Sequence, residues 1–382
     1  MTKKIKMHVI KTLIIRWFGF WGRVFNYIDL YLSRIIKIMK TFIGLITLLT
    51  SVCLLTSNTN NQQFETAVVG FYNLENLFDT LDSPHTEDSE FLPNGAKQWN
   101  TPKYEEKLNH LAKVISEIGL KGNPDGAAIL GVCEIENKSV LEDLVKQPSI
   151  KNRNYGIVHY DSPDHRGVDV GLLYAPKYFE VTNSKSYTLH MGEDFATRDQ
   201  LLVSGKLRGE QVHFIVCHWP SRRGGEKASR PKRVAAAELA KHIMDSITAI
   251  EPNAKIMMMG DLNDDPSSVS VKKTFKPKSD PTLVNDQDYF NPMFKLNKQG
   301  IGTLAWRDNW NLFDQMVMTS AFVKDETGFK YFKTYVFNEN YLRQQDGNFK
   351  GYPFRSYVGP NYQGGYSDHF PVFTIFTRPL AD

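Results

Sequence analysis

Short apolar runs that end in, or open from, acids, amides and histidines constrain this chain more than any other feature. The runs are AVVGFY (67–72), AAILGVC (127–133), VGLLY (170–174), HFIVCH (213–218), KIMMMG (255–260), FDQMVM (313–318) and FPVFTIF (370–376). Several are apolar at successive positions, as strands buried on both faces are. The first is followed by Asn73-Leu74-Glu75-Asn76 and the second by Glu134-Ile135-Glu136-Asn137. Arg166-Gly167-Val168-Asp169 precedes the third, and the fourth runs through His218 to Arg222. The fifth ends in Asp261-Leu262-Asn263-Asp264-Asp265, the sixth contains Asp314, and Ser367-Asp368-His369 precedes the last. Grouped carboxylates repel one another unless a cation or a proton holds them. These polar ends are therefore expected to meet at one site.

Two helices flank the strands. Thr101-Pro102 opens one with a cap and an early proline, and Leu108, Leu111, Ile115 and Ile118 form its buried stripe up to Gly119. The other is expected from Arg230 to Ser246, with Ser229 as its cap. Segment 79–101 is a polar loop, and no internal repeat interrupts the body. Many strands and few helices over 320 residues point to two packed sheets with helices outside, as one domain. At 41% hydrophobic and 23% charged residues, a disordered chain is excluded. Cys133 and Cys217 each precede a polar site candidate, so strand alternation turns both thiols away from the site.

The residue types narrow the chemistry. Acid and amide oxygens without a Cys or His cluster favour Mg²⁺ or Mn²⁺ over Zn²⁺. Neither a GxxxxGK[ST] phosphate loop nor a GxSxG elbow is present. Two histidines with acidic partners suit a base and an acid on either side of in-line attack by water on a phosphodiester.

In order, NLEN, CEIEN, RGVDVGLLY, HWPSR, GDLND, FDQMV and SDHFPV resemble the endonuclease/exonuclease/phosphatase superfamily, the DNase I-like fold, over about 65–378. The resemblance implies an α+β fold, a single-domain four-layer α/β/β/α sandwich with its site at one edge of the two sheets. It also implies a Mg²⁺-dependent phosphoesterase that forms no covalent intermediate. Glu134 then matches the principal metal ligand, with Asn73 beside it, Glu75 as a further metal-linked acid and Asp368 in the metal or phosphate shell. Asp261 and Asn263 match the pair that orients water and stabilises phosphoryl oxygens. Asp314 orients His369, the general base. His218 stands on the leaving-group side, and Asp169 is its expected partner.

Arg222, Arg223, Lys227, Arg230, Lys232 and Arg233 crowd the start of the second helix against one acid, Glu226. They are either a solvated helix start or a rim gripping phosphate, with Arg222 and Arg166 as the substrate-binding arginines. The aromatic approach to Asp368, ending in Tyr366, either packs or stacks on substrate. The expected substrate is a phosphodiester, foremost nucleic acid. A phospholipid or sphingolipid diester and a small phosphate ester are the alternatives, and no protein partner is implied.

The overall charge of +4 is misleading about nucleic acid. Residues 1–40 carry nine basic residues against Asp29, 41–57 carry no charge, and 58–382 carry 37 basic and 41 acidic residues. The catalytic body is thus mildly acidic. The apolar stretch TFIGLITLLTSVCLLTS (41–57) falls short of the ~20 residues of a membrane span and follows a basic flank, as in a secretory signal. Met39 fits a true start. Residues 1–57 are read as a basic extension plus signal, 58–64 as a polar tether and 65–378 as the catalytic domain. Export with cleavage is expected; an uncleaved anchor, membrane-bound through this segment alone, is the alternative. Cys53 follows Val52 where a lipoprotein signal prefers a small residue. Intact-mass measurement of the exported protein should find a start near or beyond residue 57; a retained residue 39 would overturn cleavage.

Overall fold

The computed structural model describes residues 3–55 and 63–380. The chain forms two compact units, 1–62 and 63–382. In the first, α1 (Lys3–Leu55) is one continuous helix of 53 residues, with Trp17, Tyr27, Tyr31 and Phe42 exposed. It runs through both the basic extension and the apolar stretch, which the sequence divides. Among the described residues no helix is long and apolar enough to cross a membrane. The end of the apolar stretch and most of the expected tether lie outside the described residues.

The second unit lays down β1 (Phe64–Leu77), β2 (Ile129–Ile135), β3 (Gly156–His159) and β4 (Asp169–Tyr174). Helices α2 (Thr101–Glu117) and α3 (Lys138–Val145) lie between the first three strands. There follow β5 (Phe179–Tyr187), β6 (Gln200–Leu207), β7 (Glu210–His218), α4 (Glu226–Thr248), β8 (Ile256–Asp261) and β9 (Tyr289–Phe290). A short ribbon of β10 (Leu304–Trp306) and β11 (Asn309–Asn311) leads to β12 (Asp314–Thr319) and β13 (Lys330–Val336). A second ribbon, β14 (Tyr357–Val358) and β15 (Asn361–Tyr362), precedes β16 (Val372–Pro379).

Two six-stranded sheets result, ordered β13-β16-β1-β2-β4-β3 and β5-β6-β7-β8-β12-β9. The strand KIMMMG shows how the layers form. Met257 and Met259 join the core between the sheets, whereas Ile256 and Met258 pack with Ala236, Ala240 and Ile243 of α4. Period-two alternation of residues that are all apolar thus buries both faces. On the other side, Leu108, Leu111 and Ile115 of α2 cover the first sheet. The expected α/β/β/α sandwich is what forms, as one domain.

Each sheet contains a parallel pair, β1 with β2 and β7 with β8, so four strand ends leave the sandwich at one edge. Asp314 stands opposite Asp261, which brings the start of β12 to that edge. Two helix starts differ from the sequence reading. Asn100, not Thr101, caps α2 by accepting from Lys103 N. Helix α4 begins at Glu226, a turn before the expected start, and Ser229 is buried inside it, donating to Gly225 O.

Gly260 sets Asp261 against its neighbour. A Cβ there would lie 2.1 Å from the Cys217 carbonyl oxygen, so only glycine lets β8 lie this close to β7. Gly260→Ala should destabilise the domain by about 2–3 kcal/mol, read as a lower urea midpoint at unchanged m-value.

Candidate active site

Two backbone irregularities aim the site residues. The β2–β4 register shifts between Cys133 and Ile135, and Glu134 adopts φ +58°. The β1–β2 register shifts between Asn73 and Leu77, where Glu75 and Asn76 adopt φ +49° and +53°. Asn263 has φ +49°. Such left-handed non-glycine positions cost about 1–3 kcal/mol each and collect at functional sites. Here they turn Glu134 out of strand alternation and bring Asn76 N to its Oε2 at 3.0 Å.

Asp261 is the centre of the cluster. Its Oδ2 accepts from Asn73 Nδ2 at 3.1 Å and its Oδ1 from Asn263 N at 2.9 Å. His218 Nε2 lies 3.7 Å from Asp261 Oδ2 and 3.8 Å from Glu134 Oε1; His369 Nε2 lies 3.8 Å from Asp261 Oδ2. His369 Nδ1 meets Asp314 Oδ2 at 2.7 Å. Ser367 fixes the approach: its Oγ donates to Asn73 O and accepts from His369 N. The structure thus brings together Asn73, Glu134, His218, Asp261, Asn263, Asp314 and His369.

The electrostatics follow from crowding. Burial pushes the Asp261 carboxyl up to about 7, with Asp314 and Glu134 adding to it and His369 opposing. Burial opposes charge on His369, but Asp314 and Asp261 outweigh it and hold its pKa well above the ordinary value. Burial, then Arg198 and Arg166, hold the His218 pKa well below it. Burial and neighbouring charge thus push the two imidazoles in opposite directions.

A divalent cation fits this arrangement. Glu134 Oε1, His218 Nε2 and an Asp261 oxygen lie within 4.8 Å of one another, and Glu134 Oε1 accepts no hydrogen bond from the described residues. The buried Asp261 carboxyl, with its raised proton affinity, is what a bound cation would relieve.

Other expectations fail. Asp169 does not partner His218: its oxygens accept from Ser162 N and meet His159 Nε2 at 2.9 Å, while His218 Nδ1 is buried without a hydrogen-bond partner. Glu75 turns away from the cation cluster; its Oε2 accepts from Ser356 N at 2.7 Å and lies 3.9 Å from Lys107 Nζ. Asp368 is half-buried beside His369, and its charge raises the Glu75 pKa, second only to burial. Tyr366 packs against His110 and Tyr341, with ring centroids 4.7 and 5.2 Å away, so its ring is occupied by packing.

The basic rim is mostly structural. Arg233 is fully buried, with Nε 2.9 Å from the buried Asp264. Arg222 donates to Asn263 O and Asp264 Oδ1 and covers the Phe313 ring, so it braces the Asp261–Asp265 loop. Arg230 pairs with Glu226. Arg166 is half-exposed, its Nε 3.4 Å from Asp164 Oδ1. Cys133 and Cys217 are buried and free, and burial pushes both thiols up.

Sequence reasoning missed Lys107, Arg198 and His159. Lys107 carried a signal: it stands three residues after Tyr104 and one before Leu108, inside the buried stripe of α2. Arg198, six per cent exposed, donates to Asp164 and to the Trp219 carbonyl that Asn263 Nδ2 also reaches.

A family model described as endonuclease/exonuclease/phosphatase family matches residues 68–378. Among solved structures, an endonuclease/exonuclease/phosphatase family protein from Bacteroides thetaiotaomicron is 17% identical at TM-score 0.50, the match covering 84% of this chain and 98% of that one. TDP2 of D. rerio, complexed with a single-strand DNA product, is 12% identical at TM-score 0.50, covering 82% and 99%. A mannosyl-6-phosphatase of B. thetaiotaomicron is 16% identical at TM-score 0.49, covering 81% and 98%. No curated protein matches. At these identities the likeness is one of fold.

The ion pairs under the rim can be tested by stability. Asp264→Ala should cost about 3–5 kcal/mol, because it leaves the buried Arg233 with only the more distant Glu226, at 3.8 Å, to offset its charge. Lys227→Ala, at an exposed position, should change stability by no more than about 0.5 kcal/mol.

Proposed function

The chain belongs to the endonuclease/exonuclease/phosphatase family, and from that premise we propose that it is an exported, Mg²⁺- or Mn²⁺-dependent phosphodiesterase that cleaves nucleic acid by direct attack of water. That it is a hydrolytic phosphoesterase follows from the family. The observation that carries the finer reading is the convergence of Glu134, Asp261 and His218 beside the His369–Asp314 pair.

Glu134 and Asp261, with Asn73 beside them, would hold the cation. When bound, it would supply positive charge to the phosphoryl oxygens. A cation held beside Asp261 would disfavour charge on His369, and as the neutral imidazole, oriented through Nδ1 by Asp314, this residue takes the proton of the attacking water at Nε2. Asp261 and Asn263 orient that water, and the Asn263 amide faces developing charge on phosphorus oxygens. His218, held neutral, stands ready to hydrogen-bond the departing oxygen. The single-strand DNA product in the D. rerio structure supports a nucleic-acid substrate. Export rests on the basic and apolar residues 1–57.

One observation favours a second reading, a small phosphate ester. Arg222, Arg230 and Arg233 are engaged by Asp264, Asp265 and Glu226, which leaves little of the rim to track a long strand.

Both readings share the centre and differ in substrate. Assays of plasmid DNA, RNA, bis(p-nitrophenyl) phosphate, sphingomyelin and small phosphomonoesters, with Mg²⁺ and with EDTA, separate them. EDTA should abolish activity. Glu134→Gln should lower kcat about 10³-fold through lost transition-state stabilisation of several kcal/mol. His369→Ala should cost about 10²–10⁴-fold. Activity that survives EDTA and both substitutions would falsify the assigned centre; hydrolysis of monoesters alone would replace the nuclease reading with the second.

A further inference from the structure

Beside the reaction centre lies a cavity of about 240 Å³, walled by Lys97, Lys107, Arg355, Glu75, Trp99 and Tyr357. It adjoins the cation cluster through the backbone: Asn76 also lines it, and Asn76 N donates to Glu134 Oε2. Glu75, which the family pattern assigns to the metal, lines this cavity instead.

Lys107 is the telling residue. Lys107 is two per cent exposed, and its ammonium offers three N–H donors. One reaches Ser356 Oγ at 2.6 Å, while Glu75 Oε2, at 3.9 Å, is beyond hydrogen-bond reach. Burying a charge with unfilled donors is costly unless a ligand completes them. Arg355, half-buried on the same wall, makes no hydrogen bond or ion pair among the described residues. Lys97 is partly engaged, by Gly359 O and by Glu90 at 3.3 Å, and stands over the Tyr357 ring. Two under-used cations therefore face a space too small for an extended ligand. The cavity is below the ~300–1,000 Å³ of drug-sized sites and holds roughly eight waters' volume.

We propose that this cavity is a second anion subsite, in which Lys107 and Arg355 bind a phosphate group of the substrate next to the scissile one. The inference rests on the nuclease reading for the identity of the substrate, but the anion site itself does not. A phosphate has several acceptor oxygens and suits the guanidinium fork of Arg355 together with the point charge of Lys107. The aromatic walls suit the sugar or base attached to it. Such a subsite would anchor a short substrate without a long basic groove.

Two experiments on the full chain separate the subsite from the nuclease reading. In the first, EDTA-treated protein is titrated calorimetrically with inorganic phosphate. Binding with a Kd of about 1 mM or tighter is expected, weakened at least tenfold by Lys107→Met and by Arg355→Ala. Arg355 is half-buried, so its substitution remains informative if Lys107→Met fails to fold. No binding by the wild type, or binding unchanged in Arg355→Ala, overturns the subsite. In the second, 5′-phosphorylated, 3′-phosphorylated and unphosphorylated dinucleotides are compared with Mg²⁺ present. One phosphorylated form should be preferred at least tenfold in kcat/KM, and Arg355→Ala should abolish that preference. Cleavage of all three at equal rates overturns the subsite's role while upholding the nuclease. Phosphate binding that depends on Arg355, with no dinucleotide cleaved, upholds the subsite and overturns the nuclease.

Discussion

The hydrogen bond from Asn73 to Asp261 joins the two sheets at their working edge. Asn73 follows the apolar run of β1 in one sheet, and Asp261 ends β8 in the other. Neither sheet alone holds a complete site: Glu134 and Asn73 belong to the first, His218, Asp261 and Asp314 to the second. The chemistry therefore depends on how closely and in what register the sheets pack. The core between them is largely apolar, with Met257, Met259, Met316 and Phe71 among its residues, and the buried Thr374 hydroxyl of the first sheet donates to Met316 Sδ of the second.

A buried negative charge needs something to hold it. Asp261 meets this need three ways: a backbone N–H from Asn263, an amide from Asn73 and the positive charge favoured on His369. Asp314 is held more loosely, since one oxygen meets His369 while the other is buried without a partner. That imbalance leaves the full charge of Asp314 to act on the imidazole, which orients the ring and strengthens its basicity at the far nitrogen. The strained φ values at Glu134, Glu75, Asn76 and Asn263 belong to the same balance. Without them, strand alternation would direct Glu134 elsewhere.

The apolar runs and their polar ends were legible in the sequence because strand burial and strand ends are local properties. All seven runs lie in strands, and the polar residues at six of them meet; Asp169, before VGLLY, does not join them. What was not legible depends on loops that choose among partners. Asp169 precedes VGLLY as expected, yet β3 places His159 nearer to it than His218. The sequence reading did not recognise GIVH (156–159) as a strand, so that histidine had no place in it. Arg233 and Asp264 are 31 positions apart, and nothing local says that one neutralises the other. Edge strand β5 escaped for a plainer reason: FEVTNSKSY is polar and, but for Phe179, exposed or half-buried, with no apolar run to reveal it.

Charge taught the opposite lesson at each scale. Over the whole chain it is +4, the N-terminal segment supplies that excess, and the body is acidic. Within the body, the densest basic cluster proves to be bracing: its arginines hold the carboxylates of the Asp261–Asp265 loop and the first turn of α4. Cations already neutralised by the fold contribute little long-range attraction for a polyanion. Those that remain under-used, Lys107 and Arg355, are separated by almost 250 positions and come from a helix stripe and an unremarkable loop. Density of charge along the sequence therefore marks where the fold needs neutralising, whereas a cation at a buried apolar position marks where the fold has left an interaction open.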